Sequence, residues 1–445
     1  MQHRSKSNMK TILLPFFISL SVVMLLGFVV IFVGLYQQGK LPGLEQHDEN
    51  QQTASDETGD VRQAATMNAL AEAISEEDPY HKKNQIEVEQ GAENGDREES
   101  VPVGKYGEVL ANPAYMEENH IFALETASDS ETTFTFAGDI LFDPGYSVMN
   151  ALRQNDYRLS ACISENVLQV MRDADVMMVN NEFPYSDRGQ PLEDKAFTFR
   201  APTESVRFLK EMGVDIVSLA NNHAYDYGKD AFLDTLQTLE AENVLYVGAG
   251  RNKEEAQRTV YYIANDMKIA IVSATQIEKG DAPNTIGATD DNPGVFRCWN
   301  NQELLEQVRM AKANSDFVIV YIHWGTESQT ETDWAQDQQA PEIVEAGADI
   351  VIGDHPHCLQ KIDLVNGVPV IYSLGNFWFN SKTLDTCLFS LTLDDSGIKR
   401  MQFIPCIQSG CRTSMQEGAE KQRVIDFMNS ISDKVIIDED GFLSY

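Results

Sequence analysis

Basic side chains are scarce in this chain. Lys and Arg number 34 against 69 Asp and Glu, a formal net charge of −35 at pH 7. Nucleic acids and anionic lipid surfaces repel so acidic a partner, which excludes both as unassisted ligands and leaves a polycationic or metal-bridged one open. Cysteine is thin as well. Six residues scattered from Cys162 to Cys411 are not the framework of a small disulfide-held domain, although Cys406 and Cys411 are close enough in sequence to pair. Cys358 reads as a buried free thiol rather than a nucleophile. No internal repeat is present. What remains is a chain of 445 residues with 42% hydrophobic content, more than one typical domain and enough for a sizeable core.

Charge is missing altogether from Thr11 to Tyr36. A helix of that length, at about 1.5 Å per residue, spans a hydrocarbon core of about 30 Å with room for tilt. Arg4, Lys6 and Lys10 precede it, and by the positive-inside rule they hold residues 1–10 in the cytoplasm and place the bulk of the chain outside. A cleavable signal peptide would have an apolar region of about 7 to 15 residues and a small-residue cleavage site. This run is longer and no A-x-A pattern follows it, so 11–36 is expected to be a single-pass anchor in the cell membrane. Residues 37–130 then read as an acidic disordered tether: from 41 to 130 there are 21 acidic and 5 basic side chains with few aromatics, too little apolar surface to offset the entropy of ordering.

From Thr132 onward, short β-rich runs alternate with amphipathic stretches. Strands are expected at 132–137, 175–179, 215–219, 244–247, 268–274, 316–322, 349–352 and 368–372, with helices at 203–212, 229–242, 302–313 and 334–345. Two further pairings, 261–264 with 268–274 and 387–393 with 401–405, look like antiparallel hairpins, so the expected fold is α/β around a mixed sheet. The body runs over 131–411, and 412–445 is expected to be a helix and an irregular tail.

Polar signatures stand where those strands end: Gly138-Asp139, Asn180-Asn181-Glu182, Asn221-Asn222-His223, His323-Trp324, Asp354-His355-Pro356-His357 and Ser373 to Phe377. Ligands of open α/β sheets bind beyond the carboxyl ends of the strands. Singly, each has a plainer reading. Gly-Asp is ordinary turn chemistry, Asn221 and Asn222 suit a helix cap, and Glu182 could pair with Arg188 or Lys195 at the surface. Six such loops at one rim favour a site instead. Nitrogen, carboxylate and amide donors without thiolate suit Zn, Mn or Fe(II) in an open position, one or two ions, with Asp139, Glu182, His323, His355 and His357 as ligands. Asn222 would donate to a phosphoryl oxygen and His223 protonate a leaving group, an arrangement for hydrolysis of phosphoester or amide bonds.

Taken together and in order, Gly138-Asp139-Ile140-Leu141, Asn181-Glu182, Leu219 to His223 with Asp226 and Gly228, His323-Trp324-Gly325 with Glu327, His355-Pro356-His357 and Tyr372 to Phe377 resemble the CapA/PgsA family of bacterial capsule and poly-γ-glutamate synthesis proteins. That family is similar to the calcineurin-like metallophosphoesterases. The resemblance implies a four-layer αββα sandwich of the metallophosphoesterase type. It also implies a membrane-anchored protein outside the cell, working with the membrane subunits of a polyglutamate synthase on an anionic polymer. Asn221, Asp226, Glu327 and Asn376 enter the site as supporting residues. The motifs depart from the phosphoesterase pattern: Asp139 is not followed by x-His, Asn181-Glu182 replaces Gly-Asp-x-x-Asp, and Asp354 stands where relatives have His. One ligand is therefore absent or supplied from elsewhere. Arg188, Lys195 and Arg200 are the basic residues near Glu182 that could form a patch for the polymer.

Overall fold

The computed structural model describes residues 104–277 and 285–445. The cytoplasmic segment 1–10, the anchor 11–36 and most of the tether fall outside the described residues. Among the described residues no helix is long and apolar enough to cross a membrane.

The chain folds as a mixed α/β sandwich. One sheet has seven strands in the order Ile121–Ala123, Val260–Ala264, Met267–Thr275, Phe317–His323, Ile350–Asp354, Val368–Ile371 and Ile362–Val365. The other has eight: Arg412–Met415, Gly397–Ser409, Leu384–Asp394, Thr132–Ile140, Val176–Asn181, Ile216–Ser218 and Leu245–Val247, with Asn376–Trp378 paired to Thr132–Ile140 off that path. The central strands of both sheets are parallel, and both predicted hairpins are antiparallel.

Successive side chains of a strand point to opposite faces, and here both faces are covered. In Phe317–His323, Phe317, Ile319 and Tyr321 join a cluster shared by the two sheets, whereas Val318, Val320 and Ile322 pack with Leu304, Val308 and Ile343 of the helices Gln302–Asn314 and Trp334–Ala346. Phe134 and Phe136 of Thr132–Ile140 face the same middle cluster. Behind that second sheet, Leu152, Leu168, Leu209 and Leu236 belong to the helices Ser147–Gln154, Glu165–Asp173, Arg207–Met212 and Gly228–Ala241. Helices, sheet, sheet and helices thus follow one another. Fully burying one such aliphatic or aromatic side chain contributes about 1.5 to 3 kcal/mol, which is why these runs are nearly continuous in apolar residues.

Two sequence expectations need correction. Residues 104–130 belong to the body and not to a tether: helices Gly107–Leu110 and Pro113–Glu118 lead into Ile121–Ala123, which extends the first sheet in parallel with Val260–Ala264 and buries Ile121. The charge count misses this because one short edge strand needs few apolar residues. The expected C-terminal helix is present as Gly418–Ile431, but residues 412–445 are part of the body rather than an appendage to it. Arg412–Met415 completes the second sheet, and Gly418–Ile431 sets Val424, Ile425 and Met428 into the middle cluster. All six cysteines are free, Cys406 and Cys411 included.

Four strands, Thr132–Ile140, Val176–Asn181, Phe317–His323 and Ile350–Asp354, run past their expected ends, so that Asp139, Asn180, Asn181, His323 and Asp354 are strand residues rather than loop residues. Polar side chains there pair across the register: Asp139 lies opposite Asn180 and Asn376, and His323 opposite Asp354. Glycine makes two of these positions possible. A Cβ on Gly138 would lie 1.9 Å from the Gly375 carbonyl oxygen, and one on Gly353 would lie 2.3 Å from that of Tyr372. Gly138→Ala is expected to destabilise the chain by about 1 to 3 kcal/mol, the range for overpacking, as a lowered urea midpoint.

Candidate metal centre

The parallel strands bring their carboxyl ends to one rim, and there Asp139, Glu182, Asp226, Asp354 and His323 are all fully buried. Asn180 Nδ2 donates to Asp139 Oδ1 at 2.8 Å, and His357 Nδ1 lies 3.0 Å from Asp139 Oδ2 and 2.8 Å from Asn376 Oδ1. Burial pushes the Asp139 carboxyl up, but the hydrogen bond and charge of His357 outweigh it and hold the group below its usual range. Burial likewise opposes charge on His357, and Asp139 overrides it, so this imidazole sits above its ordinary value.

His323 is the hub of the second half. Its Nδ1 lies 2.8 Å from Asp354 Oδ1, and its Nε2 lies 2.8 Å from Asn222 Oδ1 and 3.0 Å from His355 Nδ1. A carboxylate on one ring nitrogen orients the other toward a ligand. Burial lifts the Asp354 carboxyl to about 6 despite the attraction of His323. His355 is held well below the usual histidine range by burial and by the neighbouring rings of His323, His357 and His223. His355 and His357 both take positive φ, 96° and 57°, and Pro356 between them fixes that bend.

Glu182 differs from every other acid here. Neither of its oxygens has a hydrogen-bond partner among the described residues; Oε1 is 3.7 Å from His323 Nε2 and 3.9 Å from His223 Nε2. Burial, with Asp139 and Asp354 close by, drives its pKa well above the ordinary value. A buried carboxylate without a partner costs several kcal/mol and calls for a positive charge. Three overlapping groups supply donor atoms within 4.8 Å of one another: Glu182 with His323 and His355, Asp139 with His323 and Asp354, and Asp139 with Glu182 and His357. Oxygen and imidazole donors of this kind fit one or two divalent transition ions.

All five expected metal ligands therefore meet. His223 is with them: its Nδ1 lies 2.7 Å from Asp226 Oδ2, and its ring packs on Phe199 at 4.2 Å. Asn376 touches His357 directly. Asn221 faces away, donating to Asn180 Oδ1 and the Asn181 carbonyl and accepting the His223 N–H, so it shapes the turn and caps no helix. Glu327 is exposed and reaches the group only through its charge on His357. Sequence reasoning misses two contributors. Asp354 stands in its motif as a departure from the pattern and is in fact the partner of His323; Asn180, beside Asn181 in the same signature, has the distinct task of holding Asp139. Glu182 pairs with neither basic residue suggested for it. Arg188 binds Asp234, Lys195 binds Asp226, and Arg200 stacks over Tyr227, so these three form no free cationic patch. Burial raises the Cys358 thiol to about 11, which removes it as a nucleophile at neutral pH.

If the centre holds metal, Mn2+ at 100 times its dissociation constant should stabilise the folded chain by about 2.7 kcal/mol. Glu182→Gln should lose most of that gain in a thermal melt while remaining folded without metal.

The chain matches the family described as "Bacterial capsule synthesis protein PGA_cap" over residues 133–381. It is 31% identical to the "Capsule biosynthesis protein CapA" of Bacillus anthracis over 307 residues, 66% of this chain and 72% of that one. With the "PGA biosynthesis protein CapA" of Bacillus subtilis (strain 168) it shares 32% identity over 311 residues, 68% of this chain and 78% of that one. Among solved structures, a hypothetical protein from Thermus thermophilus matches at TM-score 0.38 and 14% identity, with 62% of this chain and all of that one covered. The 5'-nucleotidase from Candida albicans matches at TM-score 0.33 and 10% identity, with 61% and 49% covered. On the family match, which takes in more than half of its length, and on the two CapA relatives, the chain belongs to the bacterial capsule synthesis proteins.

Proposed function

We propose that this chain is an accessory protein of capsule or poly-γ-glutamate production, anchored by residues 11–36 and acting outside the cell membrane on an anionic polymer beside the synthase. The names of its relatives and the charge-free N-terminal run support that reading. We further read the sandwich as one of the metallophosphoesterase type, with the rim as a metal-dependent hydrolytic site for phosphoester or amide bonds. One observation carries the chemistry: the buried, unpartnered carboxylate of Glu182 among imidazoles and acids.

Asp139, Glu182, His323, His355 and His357 are the residues that would hold Mn, Zn or Fe(II). Bound there, a divalent cation would act as a Lewis acid toward a phosphoryl or carbonyl oxygen. The chain's own groups do the rest. A carboxylate only accepts hydrogen bonds, so Asp226 keeps the proton of His223 on Nδ1 and turns Nε2 toward Glu182. That Nε2 is the atom that takes a proton and returns it to a leaving group. Asn222, partly exposed beside His323, orients a substrate oxygen at the mouth. Phe199 against His223 and Phe379 against His357, with ring centroids 5.5 Å apart from each other, keep water from that side.

Purified full-length chain loaded with Mn2+ is expected to hydrolyse bis-p-nitrophenyl phosphate or a γ-glutamyl anilide. His223→Ala should lower kcat by about 10² to 10⁴, the usual share of general acid–base catalysis, with Mn2+ still bound. Wild-type protein that binds metal and turns over neither substrate would sink the hydrolytic reading. Deleting the chain from a polymer-producing host should reduce surface polymer; an unchanged coat would sink the accessory reading.

A further inference from the structure

Asp187 to Thr198 is a largely exposed segment, yet it contains one lysine side chain that is only 5% exposed. The segment leaves the second sheet directly after Glu182 and Phe183 and returns at Ala201, where the Ser186 N–H donates to the Ala201 carbonyl and the Ala201 N–H to that of Pro184. Between those ends it is tied to the turn that carries His223: the Leu192 N–H donates to the Asp226 carbonyl at 2.8 Å, and the Phe199 N–H to Asp226 Oδ2 at 2.7 Å. The Lys195 ammonium group enters from this segment and donates both to Asp226 Oδ1 and to the main-chain oxygen of Asn222.

Withdrawing an ammonium group from water is costly, and an apolar side chain of similar length would serve packing alone at less expense. Its position answers a particular need. Asp226 is fully buried in a rim that already holds Asp139, Glu182 and Asp354, and its negative charge meets that of Glu182. Lys195 offsets that charge on one carboxylate oxygen and leaves the other for His223 Nδ1. Its second bond fixes the backbone of Asn222, whose side chain reaches His323. We propose that Lys195 is a positioning residue: through Asp226 and the Asn222 carbonyl it fixes the tautomer and orientation of His223 and the place of Asn222. The segment that begins at Glu182 thereby supplies a ligand and also holds the residue facing it. This rests on the reading of His223 as the proton-transferring group of the rim.

The test uses the full chain labelled with 15N-histidine, of which there are eight. His223 is assigned by its loss in His223→Ala, and its ring nitrogens are read from long-range proton–nitrogen spectra. Wild type should show Nδ1 protonated and Nε2 bare. Lys195→Met should shift or average that pattern, and Lys195→Arg should keep it. In kinetics with Mn2+, Lys195→Met should lower kcat about 10²-fold or more while KM and the Mn2+ dissociation constant stay within about threefold, and Lys195→Arg should recover much of the loss. If Lys195→Met does not fold, Lys195→Gln, which keeps a donor and loses the charge, gives the same comparison. An unchanged His223 spectrum in Lys195→Met or Lys195→Gln, or Lys195→Arg behaving no better than Lys195→Met, would overturn the proposal. The expected spectra in a wild type without turnover would remove hydrolysis and leave the Lys195 assignment standing.

Discussion

Four carboxylates buried at one end of a sandwich are the constraint around which this molecule is arranged. Asp139, Glu182, Asp226 and Asp354 are each fully withdrawn from solvent, and an isolated buried charge is not sustainable in a folded protein. Three of the four have answers within the chain: His357 and Asn180 for Asp139, His323 for Asp354, and Lys195 with His223 for Asp226. Apart from His223, which sits three residues before Asp226 on the same turn, those answers come from strands and loops far apart in sequence, so the sheets must be in register before they can form. Glu182 has none among the described residues, and the need it leaves is the strongest indication of what the rim is for.

The strands are legible in the sequence because they are covered on both faces and read as unbroken apolar runs. The rim is legible too, since polar residues that follow such runs are out of place in a core and need a reason. Contacts that cross the fold are harder to read. Nothing in Asp354 itself says that its partner is a histidine some thirty residues earlier on the neighbouring strand; only the pairing of His323 with Asp354 shows it. Lys195 looks like surface charge because Glu193 and Asp194 precede it, and its burial depends on Asp226 lying beneath it. The segment from 104 to 130 misleads for a related reason. Its composition is that of a linker, but backbone hydrogen bonds from Ile121–Ala123 to the strand Val260–Ala264 hold it, and those depend little on composition.

Family membership and the rim geometry bear on different questions. Belonging to the bacterial capsule synthesis proteins says in which process the chain takes part, whereas the arrangement of Glu182, His323 and His355 says that one end of it offers donors for a metal ion. The loss of Arg188, Lys195 and Arg200 as free cations adds a condition to any dealings with an acidic polymer. Arg188 and Lys195 are paired with acids and Arg200 lies against Tyr227, so these three side chains do not form a ready cationic patch for such a polymer.

The two sheets end in Ile121–Ala123, Ile362–Val365, Arg412–Met415 and Leu245–Val247, none longer than four residues. A long bare edge is a template on which a second molecule adds its own strand, and brief ones offer little purchase for that. With the mutual repulsion of a strongly acidic chain, these short terminal strands disfavour the edge-to-edge pairing of one copy with another.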